Sequence, residues 1–365
     1  MKISTCRGGR GILLFFALLL SLLFVSCGGA EEVYRGEGLL TVHYLDVGQS
    51  DCTFVEVGGE YTLMIDASDE EHSSRIVRYV KELGYDSIDL LVLTHPHFDH
   101  IGGAPAVIDA LSPELVYMTE QAGTGQEYAN LVRALSESLS STETVKKDVS
   151  FTLGAMTGRF LAPFGVKHKD ENDNGAVLRL DFGSRSFLFM GDAGNTVEQA
   201  LVLCGTAIDC DVVKAGHHGS DSSSCAEFVS ATGAGYVVFS CSEDNGYGHP
   251  SPYAVDRWER SGAVSFCTGR DSDVIAYTDG ERLCAGGASD AELGQSRNNI
   301  YEGTDTSAKA DIARSLYLLD HKLHEIHISY CTQLRGADLT SLERSSADIT
   351  RLRAEGYEEC EYCFK

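Results

Sequence analysis

The sequence predicts an α/β sandwich with a loop-built site along one edge. Three observations carry this: a strand, turn, strand, helix, strand order in residues 39–93; the cluster "LLVLTHPHFDHIGG" after an apolar run; and two later strands ending in "GD" and "HHG".

The first element pair lies in "LLTVHYLDVGQSDCTFVEV", two strands around the polar turn "DVGQSD". A third strand, "YTLMIDAS", ends at Asp66. Helical spacing follows in "SSRIVRYVKELGY", with Ile76, Val77, Val80 and Leu83 on one face and Gly84 as a stop. Residues Ile88 to Leu93 are apolar apart from Asp89 and read as a strand buried on both faces. His95, His97, Asp99 and His100 emerge where it ends, and Gly102 and Gly103 are expected to let the backbone turn sharply beneath them. Neutral imidazoles and a carboxylate suit Zn, Mn or Fe, whereas a thiolate set points to a structural zinc. Asp46, Asp51 and Asp66 fall at strand ends on the same edge; for Asp46 and Asp51 a turn-capping and a catalytic role are both open.

"NDNGAVLRLDFGSRSFLFMGDAG" reads as a hairpin with Gly183 and Ser184 in the turn, ending at Gly191 and Asp192. Next, "CDVVKAGHHGSDSSS" is a strand running into His217 and His218, and "NGYGHPSPYAVDRW" sets His249 in a glycine-rich loop.

Composition bounds the reading. The 365 residues are 43% hydrophobic and 23% charged, an ordinary globular balance. Lys2, Arg7 and Arg10 precede an apolar stretch from Gly11 to Ser26, short for a spanning helix of about 20 residues. Cys27 and two glycines follow, which looks like a bacterial lipoprotein signal and predicts an extracytoplasmic protein anchored through acylated Cys27, with a secreted or signal-anchored form as the alternative. Cleavage there removes three positive charges, taking the net charge from -25 to -28. So acidic a chain repels polyanions at long range and does not suit tight nonspecific nucleic-acid binding. Seven of the twelve cysteines lie between Cys52 and Cys284; the number is odd and the spacing irregular, so no disulfide framework is expected.

Taken together, "LDVGQSD", "LTHPHFDHIGG", "NDNGAVLRLDFGSRSFLFMGD", "VVKAGHHGSDSSS" and "YGHPSP" resemble, in order over residues 39 to about 285, the hydrolase domain of the ComEC competence family within the metallo-β-lactamase superfamily. The resemblance implies an αββα sandwich and a dinuclear centre of two divalent ions, Zn or Mn, that ionise a shared water. His95 and His97 would hold the first ion and Asp99 and His100 the second, with Asp192 bridging and one of His217 and His218 completing the set. Asp99 and His249 would serve catalysis, His249 by donating a proton to the leaving group or binding a phosphate oxygen. Many superfamily members place a further histidine before the GD motif; here His168 is the one histidine in that interval and reads as a surface residue, whereas competence-like members offer asparagine, which points to Asn172 or Asn174. Lys214 and Ser220 flank the histidine pair in sequence and are candidates to neutralise phosphate. The ComEC channel itself is a polytopic membrane protein, so DNA transport does not carry over.

The domain plan is a signal at 1–27, a leader at 28–38, the hydrolase domain at 39–286, a linker at 287–312 and a small zinc-binding α+β module at 313–365. In that module "SLYLLDHKLHEIHISYCTQLRG" suggests two strands and "SADITRLRAEGYEECEYC" a helix-like segment. His327, Cys331, Cys360 and Cys363 form a tetrahedral ligand pattern for one structural Zn, and the unit resembles the small metal-binding domain of the Ada repair protein. The expected function is an extracytoplasmic metal-dependent phosphodiesterase or nuclease, with a phosphodiester, DNA among the candidates, as substrate. Two alternatives stay open: a small-molecule or cell-wall phosphodiesterase of phosphocholine or teichoic-acid type, and a non-catalytic surface binding protein.

Overall fold

The computed structural model describes residues 38–288 and four short segments, 317–320, 325–328, 342–345 and 357–359. The same plan is laid down twice. Strands β1 (Leu40–Tyr44), β2 (Thr53–Val57) and β3 (Tyr61–Ile65) form an antiparallel meander. Helix-bearing crossovers then add β4 (Leu90–Leu93), β5 (Leu115–Met118) and β6 (Ser141–Thr144), all parallel to β3. In the second sheet β7 (Ser150–Leu153), β8 (Met156–Ala162), β9 (Val177–Phe182) and β10 (Arg185–Phe189) are antiparallel. Parallel strands β11 (Val212–Lys214), β12 (Tyr236–Phe239) and β13 (Val264–Cys267) extend it, again across helices. Strands β14 (Val274–Thr278) and β15 (Leu283–Gly287) return to the first sheet beside β1.

Side-chain alternation explains the layering. On β4, Leu90 and Val92 enter the core between the sheets while Leu91 and Leu93 pack under the helices of the first half. On β10, Phe187 and Phe189 face the inter-sheet core and Leu188 the helices of the second half. Both strands are buried on both faces, hence the unbroken apolar runs in the sequence. Burying each such phenylalanine stabilises the fold by roughly 1.5–3 kcal/mol.

Gly102 and Gly103 serve a different purpose from the one expected. Both have helical dihedrals, φ -60° and -83°. What they supply is closeness: a Cβ on Gly103 would lie 2.2 Å from the Ala67 carbonyl oxygen, and one on Gly102 2.8 Å from the Glu70 nitrogen. The histidine loop is thereby pressed onto the segment after β3.

Among the described residues no helix is long and apolar enough to cross a membrane. The C-terminal segments form a four-stranded sheet in which Tyr317–Asp320 and Glu325–Ile328 are antiparallel, as expected for two short strands. The helix expected over 346–363 does not reach its end, because Glu358–Glu359 is a strand that pairs with Glu325 and Ile326; Gly356, a helix-breaking residue, stands just before it. Cys27, Cys331, Cys360 and Cys363 lie outside the described residues, and for His327 only the backbone, in the strand Glu325–Ile328, is described.

Candidate metal centre

Loops from both sheets meet at one edge. The segment after β4 is clamped by backbone bonds: Asp51 N donates to Asp99 O at 3.1 Å, Ala67 N to His100 O at 2.8 Å and Gly103 N to Ser68 O at 3.0 Å. From the opposite sheet come Asp192, after β10, and the histidine pair after β11. Left-handed backbone gathers here: Asp66, Ser68, His217, His218 and Ser224 all have φ between 47° and 62°. Strain of this kind persists where the surroundings over-determine it.

Four imidazoles each have one ring nitrogen tied and the other free to face the cluster. His95 Nδ1 lies 3.1 Å from Thr94 Oγ1, which itself donates to Asp66. His97 Nε2 is 3.3 Å from Glu171 Oε2, His100 Nδ1 2.7 Å from Asp66 Oδ2, and His218 Nδ1 2.7 Å from the Ser240 carbonyl oxygen. Partners of this type fix tautomer and ring orientation in metal ligands. The remaining nitrogens converge: His95 Nε2 and His97 Nδ1 are 3.0 Å apart, and His95, His100 and His218 approach Asp192 at 3.7, 3.2 and 3.6 Å. Asp99 Oδ2 sits 3.3 Å from His218 Nε2. His100 Nε2 and Asp192 Oδ1 are buried and lack a hydrogen-bond partner among the described residues, so two lone pairs are held out of water facing each other. A cation resolves that arrangement, and the set divides into two groups sharing Asp192: His95 and His97 on one side, His100, His218 and Asp51 on the other. The cluster suits a dinuclear metal site.

The electrostatics leave most of the donors in their metal-binding forms. Burial and the neighbouring His100 hold His95 well below the usual histidine range, so it is neutral. Burial opposes the charge on Asp192 and Asp99, but the surrounding histidines, His100 foremost, outweigh it: Asp192 falls well below the carboxylate range and Asp99 to about 2. For His100 burial is outweighed by the carboxylates Asp192, Asp66 and Asp99, which raise it well above the usual range. Asp192 and Asp99 likewise raise His218 against burial, so the carboxylates concentrate negative potential on the inward nitrogens of His100 and His218, which is the place a metal ion takes.

The structure separates the two histidines that spacing left equivalent. His218 is buried and anchored, whereas His217 is half-exposed, 4.0 Å from Asp192, and its Nδ1 reaches Asn172 Nδ2 and Ser222 Oγ only at 3.5 Å. Of the residues offered for the missing superfamily histidine, Asn172 is buried at the site, its Oδ1 without a hydrogen-bond partner among the described residues. Asn174 instead braces its own loop through the backbone of His168 and Asp170. His168 is half-buried, on the loop that Asn174 braces.

Two expectations fail. Lys214 is not turned to substrate: it is buried, its ammonium paired with the Asp51 carboxylate and bonded to Gly191 O at 3.1 Å. Ser220 is buried too, and its hydroxyl bonds Ser222 Oγ at 3.0 Å and accepts from Ser222 N, forming the turn after the histidines. Asp46 caps its own turn by accepting from Gly48 N. Asp51 and Asp66 prove to be part of the site; a strand-end position was the signal available for both. Glu198 carried no signal at all: fully buried, it accepts from Ser224 N and Cys225 N at 2.6 and 2.7 Å and secures the loop that follows the histidine pair. His249 lies at the rim, its ring 5.5 Å from that of His217 and near-parallel to that of His218 at 6.2 Å, with Nδ1 3.4 Å from Gln49 Nε2.

Residues 45–242 match the Metallo-beta-lactamase superfamily. The chain is 29% identical over 266 residues to "Competence protein ComA" of Neisseria gonorrhoeae, a match covering 70% of this chain and 36% of that one. It is 24% identical over 236 residues to "ComE operon protein 3" of Bacillus subtilis (strain 168), covering 60% and 30%. Among solved structures, the metallo-beta-lactamase fold protein YhfI from Bacillus subtilis aligns with a TM-score of 0.44 at 14% identity, covering 68% of this chain and 99% of that one. The chain spans about a third of the length of these curated relatives.

Proposed function

This chain belongs to the metallo-β-lactamase superfamily, and on that premise we propose that it is a phosphodiesterase, of nuclease type, acting outside the cytoplasmic membrane and held there through Cys27. The observation that carries the reading is the convergence of three anchored imidazoles, His95, His100 and His218, on Asp192, with His97 beside His95. His95 and His97 would hold one divalent ion and Asp99, His100 and His218 the other, with Asp192 shared; Asn172 would supply an oxygen where many superfamily members have a further histidine. When bound, such a pair would lower the pKa of a water and neutralise charge on the leaving oxygen.

The chain's own groups serve the substrate. Gln49 Nε2 donates to His249 Nδ1, so His249 offers its Nε2–H to a phosphoryl oxygen. Phe98, between ligands His97 and Asp99, is 53% exposed, and Tyr247 is 69% exposed and stacked on His249 at 5.8 Å. Aromatic faces open to solvent at the rim suit unpaired bases, each stack contributing about 1–3 kcal/mol. This favours a single-stranded nucleic acid. The net charge of -25 favours the second reading, a small or cell-wall phosphodiester.

The test combines metal analysis with hydrolysis of bis(p-nitrophenyl) phosphate and of single-stranded DNA, using His97→Ala as control. Two equivalents in the cluster and His97-dependent cleavage of DNA support the nuclease. Cleavage of the small diester alone selects the second reading. A protein that binds no metal dependent on His97 and turns over neither substrate overturns both.

A further inference from the structure

Cys241 and Cys267 are both buried, at 0% and 1% exposure, with their sulfurs 3.4 Å apart. Cys267 closes β13, and Cys241 lies two residues beyond β12, its parallel neighbour. Both backbones are held: Cys241 N donates to Thr268 Oγ1 at 3.2 Å, Gly269 N to Cys241 O at 2.9 Å, and Cys267 N to Asp271 Oδ2 at 2.8 Å. The residue before Cys241 is Ser240, whose carbonyl oxygen receives the His218 Nδ1–H. The loop that follows leads to His249. The pair therefore sits one residue from the contact that orients a site histidine and at the root of the loop carrying another.

We propose that Cys241 and Cys267 are a modification site, oxidised to a disulfide by exchange with a disulfide-bearing oxidant, and that the crosslink locks the segment positioning His218. The thiolate of one of the two cysteines attacks one sulfur of the oxidant, forming a mixed disulfide and expelling a thiolate. The thiolate of the other then attacks the cysteine sulfur of that mixed disulfide and expels the second. The two thiol protons pass to the two released thiolates; the cysteine pair loses two electrons and the oxidant gains them. The sulfurs must approach by about 1.3 Å to reach bonding distance, within the reach of side-chain rotation. Because both sulfurs are buried, exchange takes place while this region is open, during folding, and the folded domain then shields the bond from reductants.

The full chain, refolded from denaturant with Zn present in reduced and in oxidised glutathione buffers, is alkylated and its peptides mapped by mass spectrometry. In the oxidised buffer a peptide pair linked through Cys241 and Cys267, two hydrogens lighter, is expected. The linked form should melt about 5–10 °C higher and lose the His218-dependent metal to a chelator several-fold more slowly than the reduced form. Cys241→Ala and Cys267→Ala should lack the linked pair. Exposed Cys204 reports that the oxidant is active: if it is glutathionylated while Cys241 and Cys267 are recovered as separate alkylated peptides, the proposal is overturned. A linked pair that leaves chelator resistance unchanged overturns the coupling to His218.

Discussion

Asp66→Asn isolates the device that prepares His100. Asp66 accepts three bonds, from Thr94 N at 2.8 Å, Thr94 Oγ1 at 2.8 Å and His100 Nδ1 at 2.7 Å. Asparagine tolerates the left-handed backbone found there, φ 58°. Its single oxygen can keep the bond from Thr94 N, but its NH2 then replaces the oxygen that received the Thr94 hydroxyl and the His100 Nδ1–H. For His100 to accept from that NH2, its proton must move to Nε2, the atom 3.2 Å from Asp192 Oδ1, where it removes the lone pair a metal needs. Rotating the amide by 180° sets its NH2 against Thr94 N instead, so no orientation rescues the site. The loss is one charge-assisted hydrogen bond, about 1.5–3 kcal/mol, which agrees with the roughly 10–100-fold affinity cost of removing such a partner. Calorimetric titration with Mn or Zn should show that fall for the ion held by His100 and His218, with far-ultraviolet circular dichroism unchanged. A folded variant binding both ions within about twofold of the parent refutes the tautomer argument.

Other outcomes follow from the same geometry. His218→Ala should lose one of two cluster metal equivalents by mass spectrometry and His217→Ala none. His249 is pushed down to about 4 by burial, then by His218 and His217, so it is neutral from about pH 5 upward. His249→Ala should therefore lower kcat by about 100-fold without altering the pH profile between 6 and 8; a lost limb in that window contradicts the neutral-donor role. Burial raises Glu198 to about 7 against the N–H bonds of Cys225 and Ser224, from an ordinary value of about 4.5 in the unfolded chain. Between those values the folded state keeps a proton the unfolded state has lost, so stability declines as pH rises through this window, by about 3 kcal/mol, and levels off above it. Urea denaturation from pH 4 to 8 should show this decline in the parent and not in Glu198→Gln.

Legibility in the sequence tracked the distance to the partner. The candidate ligands His95, His97, Asp99 and His100 fall in six consecutive residues just after a double-faced strand, and Asp192 ends a hairpin, so local pattern exposed them. Asp66 acts on a residue 34 positions away and Lys214 meets Asp51 across 163, distances at which spacing says nothing. The choice of His218 over His217 rests on a carbonyl 22 residues on. Gly102 and Gly103 were legible as important and misread as to reason, since a close approach leaves the same residue type as a turn. Lys214 was misread because a lysine near a histidine pair looks like an anion receptor until its buried carboxylate is known.

The duplicated strand plan has a consequence for how the domain comes into being. One half of the fold contributes His95, His97, Asp99 and His100, the other Asp192 and His218. No complete candidate ligand set exists until the two halves have docked, a late, non-local event. Metal uptake by the folding chain would thus be a clock for the closing of the sandwich. A fragment ending before β11 carries most of the candidate ligands and lacks His218.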